Sequence, residues 1–254
     1  MIVGLYQAQS PQGDLSTGIE VASHALSRAS EMQVDMLVLP EAFLPGYASV
    51  TTSPPAGWEE IEEQLSNLCK KYQTALTIGL PEHADGQVFN TALSLDANGD
   101  VLGRYRKVQL FGSAEKALYT PGRSFCVFDY RGKRFGLLIC YDVEFPEHVR
   151  TLARMGVDVI LVPTANMAPF VNVNQLIVPA RAAENAITIV YANYCGSEND
   201  LDYVGMSGIF GPDGYLLAAK GTNEGLCIAE LPDGWNERGI PLSTQIADIQ
   251  SIEL

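Results

Sequence analysis

Two short segments of the chain are almost wholly apolar and end directly before a proline. They cover residues 34–39 and 157–162, and the prolines are Pro40 and Pro163. Runs of this kind are typical of strands that are buried on both faces of a sheet. A chain with two such strands must supply covering layers for both, which favours a layered fold of sheets and helices.

Helices and hairpins surround these segments in a loosely repeated order. The spacing of apolar residues predicts helices over residues 14–32, 58–72, 146–155 and 172–186. Asp14 or Ser16 can cap the first helix, and Pro179 requires a kink in the last helix or a later start. The predicted strands cover residues 2–8, 34–39, 74–80, 88–95, 101–106, 125–130, 134–140, 157–162, 187–192, 207–210, 215–219 and 226–230. Alternating helices and strands followed by hairpins, found twice, predict an α/β fold in which two mixed β-sheets pack face to face, a four-layer αββα sandwich.

The length and composition allow a large core. The chain has 254 residues, of which 47% are hydrophobic, and it contains no Pro/Ser-rich or low-complexity linker. We therefore expect one domain over residues 1–254.

The charge balance excludes several classes of partner. The chain carries 30 acidic and 16 basic residues, a net charge of −14, which disfavours contact with nucleic acid and with anionic membrane surfaces. No apolar run reaches the roughly eighteen residues of a spanning helix. Residues 1–6 enter a strand without the basic segment of a signal peptide. We expect a cytoplasmic protein that binds neither nucleic acid nor membrane.

The cysteines are dispersed along the chain. They number five, an odd set without CxxC spacing: Cys69, Cys126, Cys140, Cys195 and Cys227. Such a set suits free thiols in a reducing compartment. Because the three histidines are dispersed as well, the sequence gives no basis for a zinc site, and we expect no metal.

Cys140 stands between a predicted strand and a predicted helix. Residues 136–140 end the strand, a polar turn follows, and the helix begins at Pro146. The turn lifts the sulfur out of the sheet, and the N–H groups at the helix start favour a thiolate. Taken alone, the pattern also fits a buried structural cysteine, since free cysteine is among the most buried residue types.

Two charged residues also follow predicted strands. Glu41 comes directly after residues 34–39 and Pro40, where poor solvation raises the pKa of a carboxyl group towards that of a general base. Its alternative is a surface or helix-capping glutamate. Lys107 directly follows the strand over residues 101–106 and precedes an apolar loop, and by itself this pattern favours a solvated lysine.

These three residues lie in segments that belong together. The segments are residues 39–43 (LPEAF), 105–112 (YRKVQLFG) and 140–147 (CYDVEFPE). In order and spacing they resemble the Glu, Lys and Cys motifs of the nitrilase superfamily of carbon–nitrogen hydrolases. Further similarity in residues 181–185 and 205–214 extends the resemblance over nearly the whole chain. It implies the same αββα sandwich and assembly into a homodimer or a larger homo-oligomer.

The resemblance also implies a role for each matching residue. Cys140 corresponds to the family's nucleophile, Glu41 to its general base and Lys107 to its oxyanion-stabilising lysine. A second glutamate that often follows the lysine falls on Glu115, although neighbouring Lys116 also allows Glu115 to be a paired surface residue.

The implied chemistry explains these residue types. A cysteine with an ordinary pKa of about 8.5 needs a base to take its proton, and the charge that develops on the carbonyl oxygen needs donors. Lys107 and the backbone N–H of Tyr141 are the candidate donors. Tyr47 and Asn166 follow strand ends and are candidate pocket walls or ordinary loop packing. We expect no metal or organic cofactor.

The resemblance points to hydrolysis of a small non-peptide carboxamide, through a thioester, to carboxylate and ammonia. Residues 140–147 and 163–167 and Gln109, where many family members have histidine, are most similar to stereoselective aliphatic amidases. A nitrilase, an N-carbamoyl amine hydrolase and an ω-amidase are alternatives of the same class. A binding module with a vestigial site is an alternative of another class.

Overall fold

Two β-sheets face each other at the centre of the molecule. The structure, a computed structural model, describes residues 1–232, 234–235, 239 and 241–250. In chain order its helices and strands are β1 (Ile2–Gln9), α1 (Leu15–Glu31), β2 (Met36–Val38), α2 (Ile61–Tyr72), β3 (Ala75–Ala84), β4 (Gln87–Leu95), β5 (Val101–Arg106), α3 (Gly112–Leu118), β6 (Val127–Tyr130), β7 (Lys133–Leu137), α4 (Pro146–Arg154), β8 (Val159–Pro163), α5 (Val178–Asn185), β9 (Thr188–Ala192), β10 (Tyr194–Cys195), β11 (Ser197–Glu198), β12 (Leu201–Asp202), β13 (Gly208–Phe210), β14 (Leu216–Ala219), β15 (Gly225–Glu230) and α6 (Gln245–Asp248).

In the described part of the chain, seven strands form the first sheet and six form the second. The first has the order β10, β1, β2, β3, β4, β5, and β15 also pairs with β1. The second has the order β14, β13, β9, β8, β7, β6. Strands β1 to β3 run parallel in the first sheet, and β7 to β9 run parallel in the second. The pairs β3–β4 and β6–β7 are antiparallel, so each sheet is mixed.

The side chains of β2 alternate between two cores. Met36 and Val38 lie in the core that the two sheets share, whereas Leu37 packs with Leu26 of α1 and Leu65 of α2. This alternation follows from the two-residue period of a strand and explains why the segment is apolar throughout. Helices α4 and α5 pack with the second sheet. The predicted αββα sandwich is confirmed.

The ends of several elements differ from the prediction. Strand β7 ends at Leu137, and Cys140 begins a 3₁₀ turn over Cys140–Glu144. The predicted helix over residues 172–186 is divided into a π-helical turn, Val173–Ile177, and helix α5, which has Pro179 in its first turn. The Val178 N–H donates to the Val173 carbonyl, so helical backbone continues from the π-helical turn into α5. Pro179 is therefore accommodated by a wider turn inside the helix, and the later start is wrong.

Helix α3 was not predicted, because residues 108–112 were expected to form an apolar loop.

At the start of the chain, the Asp14 side chain caps α1 by accepting from the N–H groups of Ser16 and Thr17. None of the described helices is long and apolar enough to cross a membrane.

Candidate active site

Glu41, Lys107 and Cys140 come from three strand ends and meet at one place. Glu41 follows β2, Lys107 follows β5, and Cys140 follows β7 of the second sheet. The Glu41 N–H donates to the carbonyl of Thr164 beside β8, 3.4 Å away, and the Tyr194 hydroxyl donates to the Glu41 carbonyl over 2.9 Å. The backbone of Glu41 is therefore held by groups from both sheets.

A glycine in β3 permits the turn that carries Glu41. A Cβ atom on Gly79 would lie 2.5 Å from the Glu41 Cα, closer than real Cβ atoms approach other heavy atoms. The Gly79 N–H donates to the carbonyl of Pro40 over 3.0 Å, and its carbonyl accepts from the Phe43 N–H over 2.7 Å. This exchange fixes the direction in which the Glu41 side chain leaves the sheet.

Asp142 supports the turn that begins at Cys140. Its Oδ2 accepts from the Ile139 N–H over 3.1 Å and from the Tyr105 hydroxyl over 2.9 Å, while Oδ1 accepts from the Gln109 N–H over 2.7 Å. Cys140 has a φ of 44°, in the left-handed region that non-glycine residues rarely adopt. The buried Asp142 thus stabilises an uncommon backbone conformation and joins it to the loop after Lys107.

Lys107 is the centre of a buried charged cluster. Its Nζ lies 2.6 Å from Oε1 of Glu41 and 2.7 Å from Oε1 of Glu115, and the Lys107 side chain has no solvent exposure. Burial alone would lower the pKa of Lys107, but the two carboxylates outweigh burial and hold that pKa well above its usual value. The group is therefore a fixed ammonium ion with two of its three N–H bonds already committed.

Glu115 belongs to this cluster and not to the surface. It is buried on α3, and besides Lys107 it accepts from the Tyr47 hydroxyl over 2.7 Å and from the Phe111 N–H over 2.8 Å. The neighbouring Lys116 is exposed. The alternative of a paired surface glutamate is wrong, because α3 turns Glu115 towards Lys107.

Glu41 combines a buried carboxylate with one unused oxygen. Its Oε1 accepts from Lys107 and from the Asn90 side-chain amide over 2.8 Å, while Oε2 has no hydrogen-bond partner within the described residues. Burial raises the pKa of Glu41, although the Lys107 ammonium opposes the shift. The expected direction of this pKa is confirmed.

The surroundings of the Cys140 sulfur favour its thiol form. Burial raises the pKa of Cys140 above its usual value of 9.0, the Glu41 carboxylate raises it further, and Lys107 offsets only part of the shift. The expectation that the helix start favours a thiolate is therefore wrong. A nearby negative charge and poor solvation dominate, so the sulfur must lose its proton during the reaction.

Both candidate pocket residues lie at the cavity beside Cys140. The cavity has a volume of about 20 Å³ and is open to solvent on one side. It is lined by Tyr47, Phe111, Cys140, Tyr141, Glu144, Ala165, Asn166, Met167 and Phe170. The Asn166 Nδ2 is already committed, since it donates to the Phe170 carbonyl over 2.9 Å and to Asn174 Oδ1 over 2.6 Å.

The backbone N–H of Tyr141 lies at the start of the 3₁₀ turn, where N–H groups have no acceptor within the turn. It is therefore available as a hydrogen-bond donor.

Sequence reasoning did not find Asn90 and Tyr119. Asn90 lies in β4, is fully buried and donates to Glu41. Tyr119 follows α3 and is buried, with a hydroxyl that has no partner within the described residues. The signal for Asn90 was an amide side chain inside a predicted strand, because a buried amide requires a hydrogen-bond partner. In the same described part of the chain, no group of three or more His, Cys, Asp or Glu side chains is arranged for a metal ion.

Comparison with known families decides the classification. The carbon-nitrogen hydrolase family model matches residues 2–237. The chain belongs to the carbon-nitrogen hydrolase family. The resemblance to the nitrilase superfamily is confirmed, and the chain is an enzyme of the hydrolase class.

Relatives of this carbon-nitrogen hydrolase align with most of its length. It is 38% identical over 237 residues to a hydrolase in the pqqF 5′ region of Pseudomonas protegens. This alignment covers 91% of this chain and 82% of the relative. It is 31% identical over 236 residues to an (R)-stereoselective amidase of a Pseudomonas species, covering 91% and 85%.

A solved relative shares the fold of this carbon-nitrogen hydrolase. It is an amidase from Nesterenkonia sp. AN1, with a TM-score of 0.87, 36% identity, and coverage of 92% of this chain and 91% of the relative. The structure is of a glutamate-to-leucine mutant that shows covalent addition of the acetamide moiety of fluoroacetamide at the active-site cysteine. Another mutant of the same amidase is in complex with butyramide.

Proposed function

We propose that the protein hydrolyses the amide bond of a small carboxamide to a carboxylate and ammonia, through a thioester on Cys140. The observation that carries this proposal is the buried contact of Lys107 with Glu41 and Glu115, next to the cavity that contains Cys140. The covalent adduct at the cysteine of the Nesterenkonia amidase supports it.

The first step pairs Cys140 with Glu41. The raised pKa of the Cys140 thiol requires a base, and the Glu41 Oε2 has no other partner within the described residues. Glu41 takes the thiol proton as the sulfur attacks the carbonyl carbon, which forms a tetrahedral intermediate with a negative oxygen.

Lys107 and Tyr141 stabilise that oxygen. Two N–H bonds of the Lys107 ammonium are used by the two carboxylates, which leaves the third to donate to the oxyanion. The Tyr141 N–H supplies a second donor. Glu115, held in turn by Tyr47, keeps the ammonium in place.

The same carboxyl group completes both half-reactions. Glu41 gives its proton to the amide nitrogen, the C–N bond breaks, and ammonia leaves with the acyl group on Cys140. Glu41 then takes a proton from water as the water attacks the thioester, and the thiol recovers that proton when the product leaves. The product leaves the thioester as a carboxylic acid and passes its proton to the released ammonia through solvent, so atoms and protons balance without a metal or an organic cofactor.

We propose further that the chain works as a homodimer or a larger homo-oligomer. Large apolar side chains that are exposed in the described chain, among them Leu176, Tyr215 and Leu216, support an additional contact surface. Light scattering coupled to size-exclusion chromatography tests the assembly. The cytoplasmic location and the single domain over residues 1–254 stay predictions.

Ammonia release from paired amides and nitriles tests the proposed reaction. Each pair has the same aliphatic chain and is supplied at equal concentration. We expect faster release from the amides, because Lys107 and the Tyr141 N–H are arranged for a negative oxygen, whereas a nitrile places the developing charge on nitrogen. Equal or faster release from nitriles would favour the nitrilase alternative. Release from neither, with no adduct at Cys140, would favour the binding module.

A further inference from the structure

Glu144 is an acidic side chain at the cavity beside Cys140. It ends the 3₁₀ turn that Cys140 begins, and it lines the same cavity as the nucleophile. The chemistry proposed above uses Glu41 and Glu115 but leaves Glu144 without a role.

The Glu144 carboxylate has no hydrogen bond or ion pair within 4.0 Å in the described part of the chain. The guanidinium of Arg181 acts on Glu144 through its charge only: its Nη1 donates to the Glu184 carboxylate over 3.1 Å, its Nη2 donates to the backbone carbonyl of Glu144 over 2.9 Å, and its Nε has no partner within the described residues. Burial raises the pKa of Glu144, while the charges of Lys107 and Arg181 lower it. The Glu144 carboxylate is thus close enough to Lys107 to sense its charge, yet it is not neutralised by direct contact.

Aromatic side chains also line this cavity, among them Phe111, Tyr141 and Phe170. Phe111 meets Tyr141 edge-on with the ring centres 5.2 Å apart, and it meets Phe170 with the centres 5.6 Å apart. Aromatic faces and a carboxylate together attract an organic cation and repel an anion, because both present negative potential.

We propose that Glu144 determines specificity by binding an ammonium group on the acyl side of the substrate, so that short amino amides are preferred over neutral amides and over amides that carry a carboxylate. This inference rests on the proposed amidase function. It assigns the preference to one contact in the cavity and not to the overall charge of −14.

Three pairs of nearly isosteric amides test the contact. Each pair compares an ammonium group with a methyl group: glycinamide with propionamide, β-alaninamide with butyramide, and 4-aminobutyramide with pentanamide. The measured quantity is the ratio of kcat/KM within each pair, and the series identifies the chain length that reaches Glu144. Succinamate, which carries a carboxylate, completes the set.

We expect Glu144→Gln to lower the ammonium-to-methyl ratio of the best pair by about 10- to 100-fold, the range of a hydrogen bond to a charged group. Glu144→Lys should raise hydrolysis of succinamate relative to butyramide. The matched control is Glu147→Gln, which removes the same charge from an exposed position three residues away and should leave every ratio unchanged.

The outcomes separate this inference from the proposed function. Hydrolysis of neutral amides by Glu144→Gln with unchanged ratios would overturn the role of Glu144 and leave the amidase function standing. An equal fall in Glu147→Gln would overturn it as well, because the effect would then be long-range attraction. Absence of hydrolysis of every amide by the unmodified enzyme would contradict the proposed function itself.

Discussion

The Nζ of Lys107 lies 2.6 Å from Oε1 of Glu41, and both side chains are completely buried. The two residues come from different strand ends of the first sheet and are 66 positions apart. Neither charge has access to water, so each depends on the other for its stabilisation. This pair therefore couples the stability of the fold to the chemistry proposed for Cys140.

Replacing Lys107 tests that coupling. Lys107→Met should lower kcat by about 10²–10³-fold or more through loss of an oxyanion donor, with little change in KM. It should also lower the free energy of unfolding by about 3–5 kcal/mol, because Glu41 and Glu115 lose their buried counter-charge. Steady-state kinetics and urea denaturation measure the two effects.

The neighbouring Lys116 supplies the matched control for this change. It is exposed, and Lys116→Met should leave both kcat and the free energy of unfolding nearly unchanged. A Lys107→Met variant that raised KM alone would show that Lys107 binds substrate and does not stabilise the transition state.

Alkylation should select Cys140 among the five cysteines. Cys69, Cys195 and Cys227 are buried, whereas Cys140 is partly exposed at the cavity and has the Glu41 carboxylate nearby to take its proton. The three buried thiols should therefore react slowly. Cys140→Ala should reduce turnover by at least about 10⁴-fold while unfolding remains cooperative. Cys126→Ala is the control, since Cys126 is also partly exposed but lies outside the cavity. Residual turnover of Cys140→Ala within tenfold of the unmodified enzyme would rule out this nucleophile.

The pH profile should show where Glu41 ionises. Glu41 acts as a base only when ionised, so activity should fall as the pH drops through the pKa of Glu41, which burial raises above the usual 4.5. The pKa of Lys107 lies well above 10.5, so loss of its charge should not lower activity between neutral pH and pH 10. We expect the acidic limb of kcat/KM to have a midpoint above 4.5. A midpoint at or below that value would contradict the assignment.

Tyr47 should affect the rate through Glu115. Tyr47→Phe removes the 2.7 Å hydrogen bond to the Glu115 carboxylate, and a bond to a charged group contributes about 1.5–3 kcal/mol. We expect kcat to fall by about tenfold or more, whereas Tyr130→Phe, at a partly exposed residue outside the cavity, should have no effect. Unchanged kcat in Tyr47→Phe would mean that Glu115 keeps its position without this hydroxyl.

The sequence predicted the layers of the fold because they follow from local patterns. The apolar run that contains Met36 and Leu37 supplies two cores in alternation, and Pro179 indicates an irregular turn within its helix. Helix α3 has no comparable signal: it has seven residues and no side-chain cap. Its presence, however, decides whether Glu115 faces Lys107 or the solvent.

The pattern of apolar and polar residues alone did not predict that the three residues form one site. Glu41, Lys107 and Cys140 each had an ordinary alternative, and only the family resemblance joined them. The state of the Cys140 thiol could not be predicted, because the helix start was visible in the sequence whereas the adjacent Glu41 carboxylate and the depth of burial were not. For the same reason Asn90 escaped notice, since its partner is 49 positions away.

Mass spectrometry of the intact protein during turnover tests the central claim, that the acyl group passes through Cys140. The enzyme is quenched in acid while it hydrolyses a short aliphatic amide, and the modified peptide is then identified. We predict an added mass equal to the acyl group on the peptide that contains Cys140, and no adduct in Cys140→Ala. Ammonia release that continues with the acyl group on another residue, or on none, would contradict the thioester mechanism.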